Sequence, residues 1–275
     1  FLFARIIYSM KKDKNKKIAL LGGAYDLPIL TRDALRRNGW DVFVAGIKNF
    51  YDPKLEPEMV LRLGGVWPGI REMKRRGITK LICVGSLGHP NLSDIRPDWW
   101  SLGVLLSVIK NQRGYDSMAV ALDKALEKRG IELVAAQDVA PELAFQKAGI
   151  QTRVKPTKSE QKDIDRAIEV SHTIGREDIG ASVVVDKQVI AVEAAEGTAR
   201  MLDRVVEMRK KHRKSSGVFA KMTKPKQNLK IDIPAIGVET VRAVAAAKLR
   251  GIIVNTKTCF VIDKPAVLAA ANKAK

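Results

Sequence analysis

The sequence predicts an α/β protein with a parallel sheet in its first half and a second α/β unit of different texture behind it. Three observations carry this. Short apolar runs (KIALL, DVFVAGI, KLICV) alternate with helical segments over residues 17–84, and β-α-β-α-β alternation argues for parallel strands covered by helices. Residues 149–159 (GIQTRVKPTKS) are polar, basic and proline-containing, the character of a linker. Beyond them, ASVVVDKQVIAVEA alternates across Asp186-Lys187, as an antiparallel hairpin does.

Taken in order, 17–21 reads as a buried strand and GGAYDLP as the turn after it. A helix is predicted over 29–38 and closed by Gly39. A strand follows at 41–47, a helix at 69–76 closed by Gly77, and a third strand at 80–84. GSLGHP and RPD form the loop at that strand's carboxyl end. Two helices at 99–110 and 117–128 lead to a strand at 131–135. After the linker, Ser159 is the expected N-cap of a helix over 160–174. Helices are expected from Thr198 to about His212, from Val238 to Leu249 and from Pro265. GIIVN and TCFVID are expected to pair as strands.

Composition narrows the function. The net charge is +19, from 49 basic against 30 acidic residues. That implies an anionic partner: nucleic acid, an acidic membrane surface or a phosphorylated substrate. Aromatics at 5% and the lack of an RNP, KH or helix-turn-helix pattern argue against nucleic acid. No apolar run is long enough to span a membrane. Residues 1–16 read as an N-terminal extension with Met10 as a candidate start, because the apolar part precedes the basic part, the reverse of a secretory signal. An interfacial anchor is the alternative there. Cys83 and Cys259 lie in apolar runs, which suits buried thiols in a reducing compartment. The three histidines, His89, His172 and His212, show no zinc spacing.

The stretch 217–237, GVFAKMTKPKQNLKIDIPAIG, concentrates the chemistry. Lys221, Lys224, Lys226 and Lys230 precede its first acidic residue, Asp232. Ile231-Asp232-Ile233 reads as extended chain ended by Pro234, with the carboxylate opposite both isoleucines. A carboxylate among lysines suits a magnesium-bound phosphate; a solvated surface loop is the other reading. GGAYDLP offers backbone amides and a helix N-terminus to an anion, or is simply a tight turn. Glu193 and Glu196 stand near a strand-to-helix junction, where they bind metal or water, or where Glu196 only favours the helix dipole. Trp99-Trp100 opens an apolar segment suited to the core or to an acyl-chain groove.

At GREDIGASVVV, VIAVEAAEGTARML, GVFAKMTKPKQNLKIDIPAIG and RGIIVNTKTCFVID the chain resembles the LpxI-type UDP-2,3-diacylglucosamine pyrophosphohydrolases of lipid A biosynthesis. The first half resembles them through GGAYDLP, RPD at 96–98 and RGYD at 113–116. The resemblance implies a Rossmann-like nucleotide-side domain over 17–150 and a catalytic α/β domain over 151–275. It implies Mg²⁺-dependent hydrolysis of a lipid-linked UDP-sugar to 2,3-diacylglucosamine 1-phosphate (lipid X) and UMP, in the cytoplasm at the anionic inner membrane. A homo-oligomer is left open. Asp232 falls on the family's essential aspartate and is the expected metal ligand. Lys221 and Glu196 are the other expected catalytic residues. Gly22, Gly23, Ala24, Tyr25, Ser86, Asp116, Thr198, Lys224 and Gln227 are expected to bind nucleotide and substrate. The chain departs from the family pattern at Ala24, Tyr25, Ala181, Ala199 and at Asn255 to Lys257, which leaves a non-catalytic nucleotide-sugar binder as one alternative; the net charge of +19 motivates the other, a basic nucleic-acid-binding protein.

Overall fold

A computed structural model describes residues 16–87, 94–111, 115–210, 216–225 and 227–274, with backbone alone for 107–111 and 115–119. The extension's first fifteen residues, His89, Lys226 and His212 lie outside the described residues.

In the first half the chain runs β1 (Lys17–Gly22), α1 (Leu27–Arg37), β2 (Asp41–Ile47), β3 (Met59–Leu61), α2 (Trp67–Arg75) and β4 (Lys80–Val84). It continues through α3 (Trp99–Asn111), α4 (Tyr115–Glu127), β5 (Glu132–Leu133) and a short α5 (Ala136–Val139). The five strands form one all-parallel sheet in the order β3-β2-β1-β4-β5. Both faces are covered, which is why these strands are apolar throughout. Ile18, Leu20, Val44, Ile82 and Val84 pack on one face with α1 and α5. Ala19, Phe43 and Leu81 pack on the other with α2 and α4. The helix α1 begins before the expected Ile29, because Pro28 suits a first turn that needs no amide donor. The short β3 and α5 carry too few residues for a periodic signal.

The second half runs α6 (Lys158–Ile174), β6 (Ala181–Val185), β7 (Gln188–Val192), α7 (Gly197–Arg209) and β8 (Gly217–Lys221). It closes with β9 (Ala235–Ile236), α8 (Val238–Ala246), β10 (Gly251–Val254), β11 (Phe260–Val261) and α9 (Lys264–Ala274). The expected hairpin forms: Asp186 and Lys187 take φ of 50° and 63°, the paired left-handed conformation of a tight two-residue turn. The buried Asp163 carboxylate accepts from both turn amides.

Two expectations are corrected here. GIIVN and TCFVID do not pair: β10 lies parallel to β8 in the sheet β10-β8-β6-β7, and β11 lies parallel to β9. Similar apolar runs carry no record of which neighbour they choose. The β9/β11 pair bridges the two halves: Phe260 is fully buried in the core of the α1 face, while Ile236, Cys259 and Val261 pack with α8 and α9. The helix α6 is capped by Thr157, not Ser159. The Glu160 amide donates to Thr157 Oγ1 at 3.3 Å, and Glu160 Oε2 accepts from the Thr157 amide at 2.8 Å. Both cysteines are free, and burial pushes each thiol up to about 12.

The capping box predicts a stability effect with a pH signature. The Thr157 amide, working against burial, holds the Glu160 carboxyl below its usual range. A carboxyl lowered by folding stabilises above its unfolded value, and the gain disappears as pH falls through the folded one. Thr157→Ala should cost about 1 kcal/mol in urea unfolding near neutrality. The stability gap between the parent chain and Glu160→Gln should narrow as pH drops below 4.5; a gap that stays constant on acidification contradicts this reading.

Candidate active site

In the parallel sheet the connections from β1 run outward through β2 and β3, while β4 and β5 lie on its other side. Loops leaving β1 and β4 therefore diverge and open a crevice at the strands' carboxyl ends, the position where open α/β sheets bind ligands. Here the crevice is part of a cavity of about 680 Å³. Ala24, Tyr25, Leu27, Gly85 and Ser86 line it from the first half. Asp178, Gly180, Glu193, Lys221, Lys224, Gln227 and Asp232 line it from the second.

The glycines of the first turn serve packing. A Cβ on Gly23 would stand 2.6 Å from the Ser86 carbonyl oxygen. The two loops approach that closely because Ala24 and Ser86 form an isolated bridge, with the Ala24 amide donating to Ser86 O at 2.8 Å. Gly22 and Gly23 lie behind the wall, and Ala24 and Tyr25 form it. Tyr25 adopts φ 71° and is 71% exposed. An aromatic residue is costly in the left-handed region, on the order of 1–3 kcal/mol, and an exposed ring recovers little of that by packing.

Asp232 is held by a turn, which corrects the extended reading of Ile-Asp-Ile. The amides of Ile231 and Asp232 both donate to Asn228 O, at 3.1 and 2.9 Å, while Asn228 Oδ1 accepts from the Lys230 amide at 3.1 Å. Asparagine favours such local closure. Pro234 then precedes a strand, β9, instead of ending one. The two isoleucines do not share one side, as an extended strand would require; they straddle the sheet, and both line the cavity along with Asp232. Ile231 packs on the α2/α4 face and Ile233 on the α1/α5 face. Lys230 adds an ion pair to Asp123 of α4, Nζ to Oδ2 2.7 Å. The carboxylate at position 232 is thus fixed over the sheet edge from both sides.

Around it, Gln227 Nε2 donates to Asp232 Oδ2 at 2.8 Å, and Lys224 Nζ stands 3.5 Å from the same oxygen. Gln227 Oε1 accepts from the Lys224 amide, which orients its amide group. Lys224 also pairs with Asp178 at 2.6 Å. Burial acts against its charge, but the hydrogen bond to Asp178 and the charges of Asp232 and Asp178 prevail, so its pKa lies above the usual lysine value. Asp178 sits at φ 64° after a short 3₁₀ turn. It lines the cavity, and nothing in the local sequence marks it for that place. Its spacing in GREDIG carries no signal for a partner more than forty residues away.

The carboxylate pair at the β7–α7 junction divides. Glu193 lines the cavity. Glu196 turns to Arg204 at 2.6 Å, and its own backbone amide, against burial and with help from Arg204, lowers its carboxyl pKa. Glu196 is thus engaged outside the cavity wall. Thr198 is also absent from the wall; its hydroxyl binds Glu193 and Lys221. The side chain of Asp116 lies outside the described residues. Asn255, one of the departures from the family pattern, accepts the Thr223 amide at 2.7 Å and so ties the end of β10 to the lysine-rich loop.

Residues 17–143 match the family described as LpxI N-terminal domain, and residues 147–275 match LpxI C-terminal domain. The UDP-2,3-diacylglucosamine pyrophosphatase LpxI of Caulobacter vibrioides is 32% identical over 265 residues, covering 94% of each chain. With both family domains present in order and a relative aligned along nearly its whole length, the chain belongs to the LpxI family.

Proposed function

We propose that this protein hydrolyses the pyrophosphate bond of UDP-2,3-diacylglucosamine to lipid X and UMP. The observation that carries the reading is the cavity at the β1/β4 crevice, where the carboxylate of Asp232 stands among Lys221 and Lys224. It is joined to the name of the Caulobacter relative.

The donor set suits magnesium shared with substrate. Among the described residues no three His, Cys, Asp or Glu side chains converge on one point. The contacts of Asp232 with Gln227 and Lys224 both fall on Oδ2, which leaves Oδ1 as a hard oxygen ligand. Mg²⁺ characteristically takes one or two carboxylates and completes its shell with phosphate and water. Asp232 would hold it, and the bound ion would supply polarisation of a phosphoryl oxygen.

The chain's own residues do the rest. Ala24, Tyr25 and Ser86 receive the uridine side in the crevice, with the Tyr25 ring offered to the base. Lys221 and Lys224 offset the anhydride's charge as it builds on the leaving UMP. Water attacks the sugar-side phosphorus, next to the carboxylate of Asp232. Peripheral attachment to an anionic bilayer fits this substrate. Among the described residues no helix is long and apolar enough to cross a membrane. Trp99, 92% exposed, and Leu106, seven residues on along α3, share a helix face. Trp100 instead stacks on Trp67, so only one of the two tryptophans is free for such contact.

Purified protein supplied with UDP-2,3-diacylglucosamine and Mg²⁺ should release UMP, and Asp232→Asn should lower kcat by about two orders of magnitude. In ¹⁸O-water the label should enter lipid X; label in UMP would place attack at the other phosphorus. Tyr25→Gly should raise the melting temperature, by relieving the left-handed aromatic, while weakening UMP binding about tenfold. Both changes in the same direction would remove Tyr25 from base recognition. Binding to anionic liposomes should fall with salt and with Trp99→Ala; equal binding to neutral liposomes contradicts the attachment.

A further inference from the structure

Lys221 and Glu193 both reach the cavity wall, and the sheet places them on one row. Lys221 is the register partner of Ala181, and on the other side of Ala181 the Glu193 amide donates to its carbonyl oxygen at 2.9 Å. Two strand spacings, roughly 9–10 Å of backbone, separate them, and the residue between is a buried alanine. Thr198, in the first turn of α7, spans the gap. Lys221 Nζ donates to its Oγ1 at 2.8 Å, and Oγ1 donates to Glu193 Oε1 at 2.6 Å.

The direction of this chain is forced. An ammonium only donates and a carboxylate only accepts. The hydroxyl therefore gives its one proton to Glu193 and a lone pair to Lys221. Both bonds involve an ionised partner, the stronger class. Lys221 retains two N–H groups, and it meets Glu193 through this hydroxyl with no direct ion pair.

We propose that Thr198 is a positioning residue that holds Lys221 apart from Glu193, so that the ammonium faces the phosphoanhydride. Without the hydroxyl, the two long side chains close on each other as an ion pair and Lys221 leaves the substrate. Thr198 then acts through Lys221, without touching substrate itself. The ligand in this account rests on the proposed function; the spacer geometry does not.

The test uses inorganic pyrophosphate as probe, with binding measured by calorimetry, alongside hydrolysis of UDP-2,3-diacylglucosamine. Thr198→Val should weaken pyrophosphate binding and lower kcat/KM by about tenfold to a hundredfold, the scale of one charged hydrogen bond. Thr198→Ser should restore both to within about threefold, which shows that the hydroxyl, not the fold, is being read. In a Glu193→Gln background, Thr198→Val should cost less than about threefold, because no carboxylate remains to capture the ammonium. Thr198→Ala replaces the valine variant should valine not fold. Parent-like pyrophosphate binding by Thr198→Val overturns the proposal, as does an equal loss in both backgrounds. Failure of the parent chain to bind pyrophosphate overturns it too. The expected binding pattern without UMP release overturns the proposed function alone.

Discussion

Everything at the site depends on how three residues, Ile231, Asp232 and Ile233, meet the edge of a sheet that is not their own. The two isoleucines enter hydrophobic clusters on opposite faces of the parallel sheet. A fully buried isoleucine contributes on the order of 1.5–3 kcal/mol, and these two are partly buried, so each gives less. The Lys230–Asp123 pair, with both side chains partly exposed, adds up to about 1 kcal/mol. The larger share comes from apolar burial, which is also what fixes position. A segment wedged over both faces cannot slide toward either, so the carboxylate between the wedges stays at the crevice mouth. The β9/β11 pair, with Phe260 in the same core, extends this docking.

The site's electrostatics follow from that placement. The chain carries +19, yet the lysines nearest the carboxylate are not a diffuse cloud. Lys224 is tied to Asp178 and Asp232, and Lys221 to Thr198. Lysines fixed in this way lose less freedom when an anion arrives, which is how preorganised charge differs from a basic surface. Asp178 balances Lys224 and can yield it to a phosphate oxygen at little cost, since its own carboxylate is mostly exposed.

Much of this was legible in the sequence. The parallel strands announced themselves as apolar runs because both faces are buried, and the hairpin did so because Asp186-Lys187 needs a left-handed pair. Asp232 stood out as the one carboxylate in a lysine-rich stretch. Three things were not legible. The turn at Asn228 hid behind a β-branched pattern, because Ile-Asp-Ile pairs with nothing and is apolar only to dock. Glu193 and Glu196 share a local sequence, and only the start of α7 and Arg204 decide which one faces the cavity. Asp178 reaches the site through tertiary contact with Lys224, which no spacing records. The partners of β10 and β11 were missed for the same reason, since pairing is decided by the cores the strands complete.

The measurement that bears most directly on this account is a crystal structure of the protein with UMP bound. The account places the nucleotide in the crevice between the β1 and β4 loops, its base against Tyr25 and its phosphate directed toward Lys221 and Asp232. UMP bound elsewhere, with the crevice empty and Asp232 remote from the phosphate, would contradict it.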